Sequence, residues 1–158
     1  MIELRAATEL DRGAMTDFVA GLSPDTSWLR FASGIGRPTR ALVTSLLRRD
    51  ATHGAWIAVR DGDIVAHTSW SLLADGVTAE LAAVVSDSWR RSGLGRLLGR
   101  LAADEAAENG AQGLRLELLP SNLAARGLLL HLWPHAAGHD GGGLLVYDVP
   151  LRRTAGAG

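Results

Sequence analysis

The chain reads Ala79-Glu80-Leu81-Ala82-Ala83-Val84-Val85-Ser86-Asp87-Ser88-Trp89-Arg90-Arg91-Ser92-Gly93-Leu94-Gly95-Arg96-Leu97-Leu98, and its character changes twice along the way. An almost continuous apolar run over Thr78–Ser86 is what a strand covered on both faces requires. It carries one carboxylate, Glu80. Asp87-Ser88-Trp89 breaks the run. After the glycines, Leu97, Leu98, Leu101, Ala102 and Glu105 are spaced as one face of a helix. Strand, glycine loop and helix together form the first half of a parallel crossover. The first turn of a helix has unpaired N–H groups and a partial positive charge. Glycine allows dihedrals and close approaches that a Cβ forbids. Arginine adds charge-assisted hydrogen bonds. Arg90-x-x-Gly93-x-Gly95 is therefore suited to holding a phosphate-like anion. Its spacing is not that of Gly-x-Gly-x-x-Gly, and no Gly-Lys-Ser/Thr follows it.

Working outward, Thr78–Ser86 is preceded by Ala55–Arg60 and Ile64–Leu73, two period-two runs joined by Asp61-Gly62-Asp63, with Asp75-Gly76 as the next turn. Ahead of them come a strand at Ile2–Ala6 and a helix opened by Thr8 and Asp11 as a capping box and running to about Val19. A second helix starts at Ser23-Pro24, and Thr39 caps a third with Leu42, Val43, Leu46 and Leu47 on one side. Downstream, Asn109-Gly110 stops the helix after the loop. Gln112–Leu118 is a strand, Leu123–Leu132 a helix, and Leu144–Val149 a last strand. The expected fold class is α/β of the mixed α+β kind: a central, mostly antiparallel sheet with flanking helices. Residues 1–151 read as one domain, and 152–158 as a disordered tail.

The 158 residues can bury a substantial core. No apolar run reaches the ~18 residues that a bilayer span needs. Met1-Ile2-Glu3-Leu4-Arg5 lacks signal-peptide order, so a cytoplasmic location is the default expectation. A net charge of −1 gives no pull toward nucleic acid or anionic lipid, so neither is expected as a partner. With no cysteine, disulfides, thiolate metal sites and a Cys nucleophile are excluded. All 16 basic residues are arginine, which excludes Schiff-base chemistry on lysine.

Ala79–Leu98 resembles the acyl-CoA signature of the GNAT acetyltransferase superfamily, whose loop reads Gln/Arg-x-x-Gly-x-Gly/Ala. Asn122-x-x-Ala125-x-x-Leu128 is similar to that family's second signature, and Phe18–Phe31 resembles the opening of GNAT domains in bacterial protein lysine acetyltransferases. The resemblance implies a GNAT-type sheet in which Thr78–Ser86 and Gln112–Leu118 splay apart. It implies acetyl-CoA as co-substrate and no metal. The pyrophosphate would be held by Arg90, Arg91, Ser92, Gly93, Leu94, Gly95 and Arg96. Backbone near Val84 and Val85 would meet the pantetheine arm, and Asn122 would steady it. The acceptor would be a primary amine, on a protein lysine or a small molecule. Family members often form homodimers, and a homodimer is possible here.

Glu80 is the candidate general base, since a carboxylate in an apolar strand is costly unless used. The family's usual acid is a Tyr seven residues after the Asn of the second signature. Here Leu129 stands there, and Leu132-Trp133-Pro134 replaces the usual Gly-Phe. The competing reading is therefore a catalytically weak or inactive acyl-CoA-binding sensor. Asn122 and Ser121 compete to cap the following helix. Tyr147 is expected to pack or to bond backbone. His131, His135 and His139 are spaced by four, but Pro134 interrupts a shared helical face. Arg30 and Arg37 are expected to face water. The tryptophans are expected mostly in the core, with Trp28 and Phe31 on the acceptor side.

Overall fold

The computed structural model describes residues 1–31 and 33–151. The segment read as a disordered tail, 152–158, lies outside them. The chain opens with strand β1 (Glu3–Ala6). Thr8 and Asp11 form the expected capping box, each bonding the other's backbone, on a 3₁₀ turn that runs into helix α1 (Arg12–Ala20). Helices α2 (Pro24–Phe31) and α3 (Arg40–Leu47) follow. Ser23 Oγ accepts from Thr26 N–H, and Thr39 Oγ1 from Leu42 N–H, so both expected caps form. Three antiparallel strands come next: β2 (His53–Arg60), β3 (Asp63–Leu72) and β4 (Thr78–Val85). Helix α4 (Leu94–Glu108) leads to β5 (Gly113–Leu118), and α5 (Leu123–Leu132) to β6 (Ala137–Asp140) and β7 (Leu145–Pro150). The sheet has seven strands in the order β1-β2-β3-β4-β5-β7-β6, parallel only between β4 and β5. β6 is absent from the sequence reading. It is short and exposed along its whole length, so it has no apolar alternation to find.

Alternation along the strands divides the sheet into two faces. Ala55, Ile57, Ile64 and Val84 face α1 and α3, packing with Met15, Phe18, Val19, Val43 and Leu46. Trp70, Leu81 and Leu114 face α4. Trp70 is 2% exposed and donates Nε1–H to Glu105 Oε1 at 2.9 Å; the other Glu105 oxygen accepts from Arg49 at 2.8 Å. A Cβ on Gly54 would land on that Trp70–Glu105 bond, so glycine is required there. The network ties α4 to the central strands and to the α3–β2 connection.

His67 is 1% exposed on the α1–α3 face. Its Nε2 lies 2.8 Å from Leu46 O. A carbonyl can only accept, so Nε2 carries the hydrogen and Nδ1 a lone pair. Burial, then the charge of Arg30, pushes its pKa down to about 4 from 6.5. The unfolded chain therefore takes up a proton that the native state refuses as pH falls from about 6.5 to 4. The neutral-His stability is complete above that window and is lost across it, at a cost of about 3 kcal/mol. Urea unfolding at pH 7 and pH 4.5 should show this loss in the wild type. It should be largely missing in His67→Phe, whatever that variant's stability at pH 7; equal losses would contradict the assignment.

Candidate functional site

Strands β4 and β5 pair only over Thr78–Gly113, Ala79–Leu114 and Glu80–Arg115. Beyond that, residues 81–85 and 116–118 have no partner across, and the sheet opens into a gap. The ladder to β3 decides which β4 groups face it. Ser86 N–H bonds Val65 O at 2.9 Å, and the register pairs His67 with Val84 and Ser69 with Ala82. Antiparallel pairs alternate between bonded and unbonded. Val84 and Ala82 are therefore committed to β3, while the backbone groups of Ala83 and Val85 point into the gap. Of the two valines singled out from the sequence, Val85 offers backbone to the gap and Val84 is buried toward α1 and α3.

At the end of β4 the chain makes a 3₁₀ turn (Asp87–Trp89) and enters the glycine loop. Arg91 has φ +62° and Gly93 φ +86°. Arg90 before them is extended, and left-handed residues in such a turn can aim backbone N–H groups toward one point, as in an anion nest. The first helical bond of α4 runs from Leu97 N–H to Gly93 O at 3.1 Å, which leaves the N–H groups of Gly93, Gly95 and Arg96 without a backbone partner. Leu94 N–H reaches the Ser92 hydroxyl at 3.4 Å. The two glycines serve different needs. Gly93 has open space around it and a backbone angle that few L-residues adopt. At Gly95 a Cβ would stand 2.9 Å from Leu128 of α5 and 3.7 Å from Val85, so its small size lets the start of α4 dock against both.

Arg91 and Arg96 are exposed. Arg90 is engaged within the protein: its guanidinium pairs with Asp87 at 3.4 Å and donates to the Thr26 hydroxyl, which in turn donates to Asp87. The Thr26 hydroxyl, then Ser23 and Arg90, holds the Asp87 carboxyl below its ordinary value. The glycine loop is thus fastened to α2.

Glu80 is half-buried on the α1–α3 face, with Ala82 and Val84. Helix α2 lies over this part of β4. Arg30, expected to face water, is instead half-covered, with an Nε that is sealed from solvent and has no acceptor. It follows buried Thr26 and Ser27 by one helical turn, which places it on the sheet-facing side of α2. A helical-face reading of Thr26, Ser27 and Arg30 together is the signal that could have found it. Arg37 is exposed, as expected, and Trp28, read as lying on the acceptor side, is 52% exposed.

Asn122 caps α5, its Oδ1 accepting from Ala125 N–H at 3.2 Å; Ser121 does not. Leu129 is 2% exposed in the core beside α4, so no acid can act from that position. Tyr147 packs in the core, as expected, and its hydroxyl accepts from Arg126 Nε at 2.8 Å. His139 lies 3.8 Å from Asp148. Among the described residues, no group of three or more His, Cys, Asp or Glu could hold a metal ion, and no helix is long and apolar enough to cross a membrane. Two clefts, one between α5 and β6–β7 beside Arg126 and Tyr147, the other along α1 beside Asp63 and Ser86, include neither Glu80 nor Gly93. A nest of backbone N–H groups on a loop need not form a deep cavity.

Comparison with known proteins agrees with this geometry. The acetyltransferase (GNAT) family profile matches residues 17–132. Among solved structures, the GNAT domain of S. lividans PAT superposes with a TM-score of 0.86 at 19% identity, covering 95% of this chain and 90% of that one. YncA, a putative acetyltransferase from Salmonella typhimurium solved with its cofactor acetyl-CoA, gives 0.73 at 18% identity, over 99% of this chain and 96% of that one. The PaiA N-acetyltransferase from Thermoplasma acidophilum, in complex with coenzyme A, gives 0.69 at 14% identity, over 96% and 99%. No curated protein sequence matches. The family profile spans well over half of the chain, and the fold agrees with it: the chain belongs to the GNAT acetyltransferase family.

Proposed function

We propose that this protein transfers an acetyl group from acetyl-CoA to a primary amine, with Glu80 as general base. The observation that carries this reading is the opening of β4 from β5 immediately after Glu80, with the nest at the far end of the same strand. The N–H groups of Gly93, Gly95 and Arg96 would bind the pyrophosphate, with Arg91, Ser92, Leu94 and Arg96 around it. Arg90 would act mainly by holding the loop to α2. Ala83 and Val85 would offer backbone to the pantetheine arm, and Asn122 would steady it from the start of α5. The likeness to acyltransferases solved with acetyl-CoA or coenzyme A supports this choice of donor.

The thioester supplies an activated acyl carbon. The amine nitrogen bonds to that carbon, the carbon–sulfur bond breaks, the ammonium proton passes to Glu80 directly or through water, and water protonates the departing thiolate. Leu129 and the bonded Tyr147 leave water as the acid. Protein lysines and small amines both meet the requirement for an amine. The likeness to the PAT domain supports the first, and the charge around Glu80, considered below, favours the second.

Isothermal titration should show acetyl-CoA binding. Gly93→Trp, which strains a left-handed position and fills the nest, should weaken binding by at least ~100-fold, as expected when several charge-assisted bonds are lost. Unchanged affinity would contradict the loop assignment. Glu80→Gln should leave acetyl-CoA binding within error and lower kcat by about 10²–10⁴ against a responsive amine. Tight acetyl-CoA binding with no turnover of a broad amine panel by the wild type would instead favour the sensor reading.

A further inference from the structure

One charge on the acceptor side of the sheet is left open. Arg30 lies on the sheet-facing side of α2, its guanidinium 4.7 Å from the centre of the Phe31 ring. The other arginines covered to a similar degree, Arg5, Arg12 and Arg115, each pair with a carboxylate. Arg30 pairs with none among the described residues, and its buried Nε–H has no acceptor. Burial pushes its pKa down to about 10 while the charge of Glu80 opposes this, so Arg30 remains a cation at neutral pH and feels Glu80. His67, on the same face, feels Arg30 in turn. Register places His67 opposite Val84, four residues along β4 from Glu80. Arg30 thus lies on the face of α2 that covers the strand carrying Glu80, and it forms no ion pair with Glu80.

A covered cation without a partner is costly, and an ion pair that served only stability would be closed in the free protein. A separated positive and negative charge on one face suits a ligand carrying the same two charges in the opposite order. We propose that the acceptor is a zwitterionic amine of the amino-acid class, with its carboxylate on the terminal nitrogens of Arg30 and its amine at Glu80. This rests on the acyl-transfer reading above. The guanidinium fork suits a carboxylate, which it can bind through two parallel bonds. An amine lacking the carboxylate would leave the cation covered and unpaired, so Arg30 would both attract acids and reject plain amines.

The test uses the full chain with acetyl-CoA and matched triplets: a panel of amino acids, their carboxamides and their decarboxylated amines. The wild type should prefer the acids over the matched amines by about 100-fold in kcat/KM, the effect of a charge-assisted contact. Arg30→Gln should collapse that preference to about one, mainly by raising KM for the acids, and Arg30→Lys should restore part of it. Equal wild-type activity on all three members would overturn the proposal, as would an Arg30→Gln defect equal for all three. Faster turnover of lysyl peptides, independent of residue 30, would also overturn it. The wild-type panel decides even if Arg30→Gln fails to fold. A wild type that binds no acetyl-CoA would sink the acyl-transfer reading itself.

Discussion

The structure depends on the separation of β4 from β5 after the pair Glu80–Arg115. Backbone groups in a sheet interior must find partners, so leaving Ala83 and Val85 open is costly unless something else meets them. Several packing choices keep the gap from closing. Helix α4 is pinned to the central strands by Trp70 and Glu105, and its start docks against α5 through the missing side chain of Gly95. Beyond the gap, β5 is held by β7 along its whole length, from Gly113–Pro150 to Leu118–Leu145. On either side of the opening, β4 is paired with β3 and β5 with β7.

Helix α2 links the glycine loop to β4, on one side of this opening. Its first turn bonds the glycine loop through Thr26, Asp87 and Arg90, and its last turn brings Arg30 over the strand that carries Glu80. The loop proposed to hold the donor and the helix proposed to meet the acceptor are therefore one mechanical unit. Arg90 gives its charge to that connection, so the proposed anion site rests mainly on the backbone N–H groups of the loop.

Much of this was legible in the sequence because local chemistry wrote it. The strand–loop–helix of Thr78–Leu98 was readable from a switch in hydrophobic period, and the caps at Thr8, Ser23 and Thr39 from residue type, whereas residue type left Asn122 and Ser121 as alternatives. What stayed hidden depends on pairing across the fold. β6 has no apolar pattern, because an exposed edge strand needs none. The commitment of Val84 to β3, and the opening of Val85 to the gap, follows from a register that no local pattern encodes. The contact between Arg90 and Thr26 could not be read, because nothing nearby in sequence announced it. Arg30 looked like a surface charge because its cover comes from a distant strand.

Following backbone amide resonances of isotope-labelled protein during a coenzyme A titration tests the shared role of loop and gap most directly. The largest shifts should fall on the N–H groups of Arg91–Arg96 and on Ala83 and Val85, with Val84 moving much less. Shifts concentrated instead around Arg126 and Tyr147, or no saturable shifts at all, would contradict a donor site built from the nest and the opened sheet.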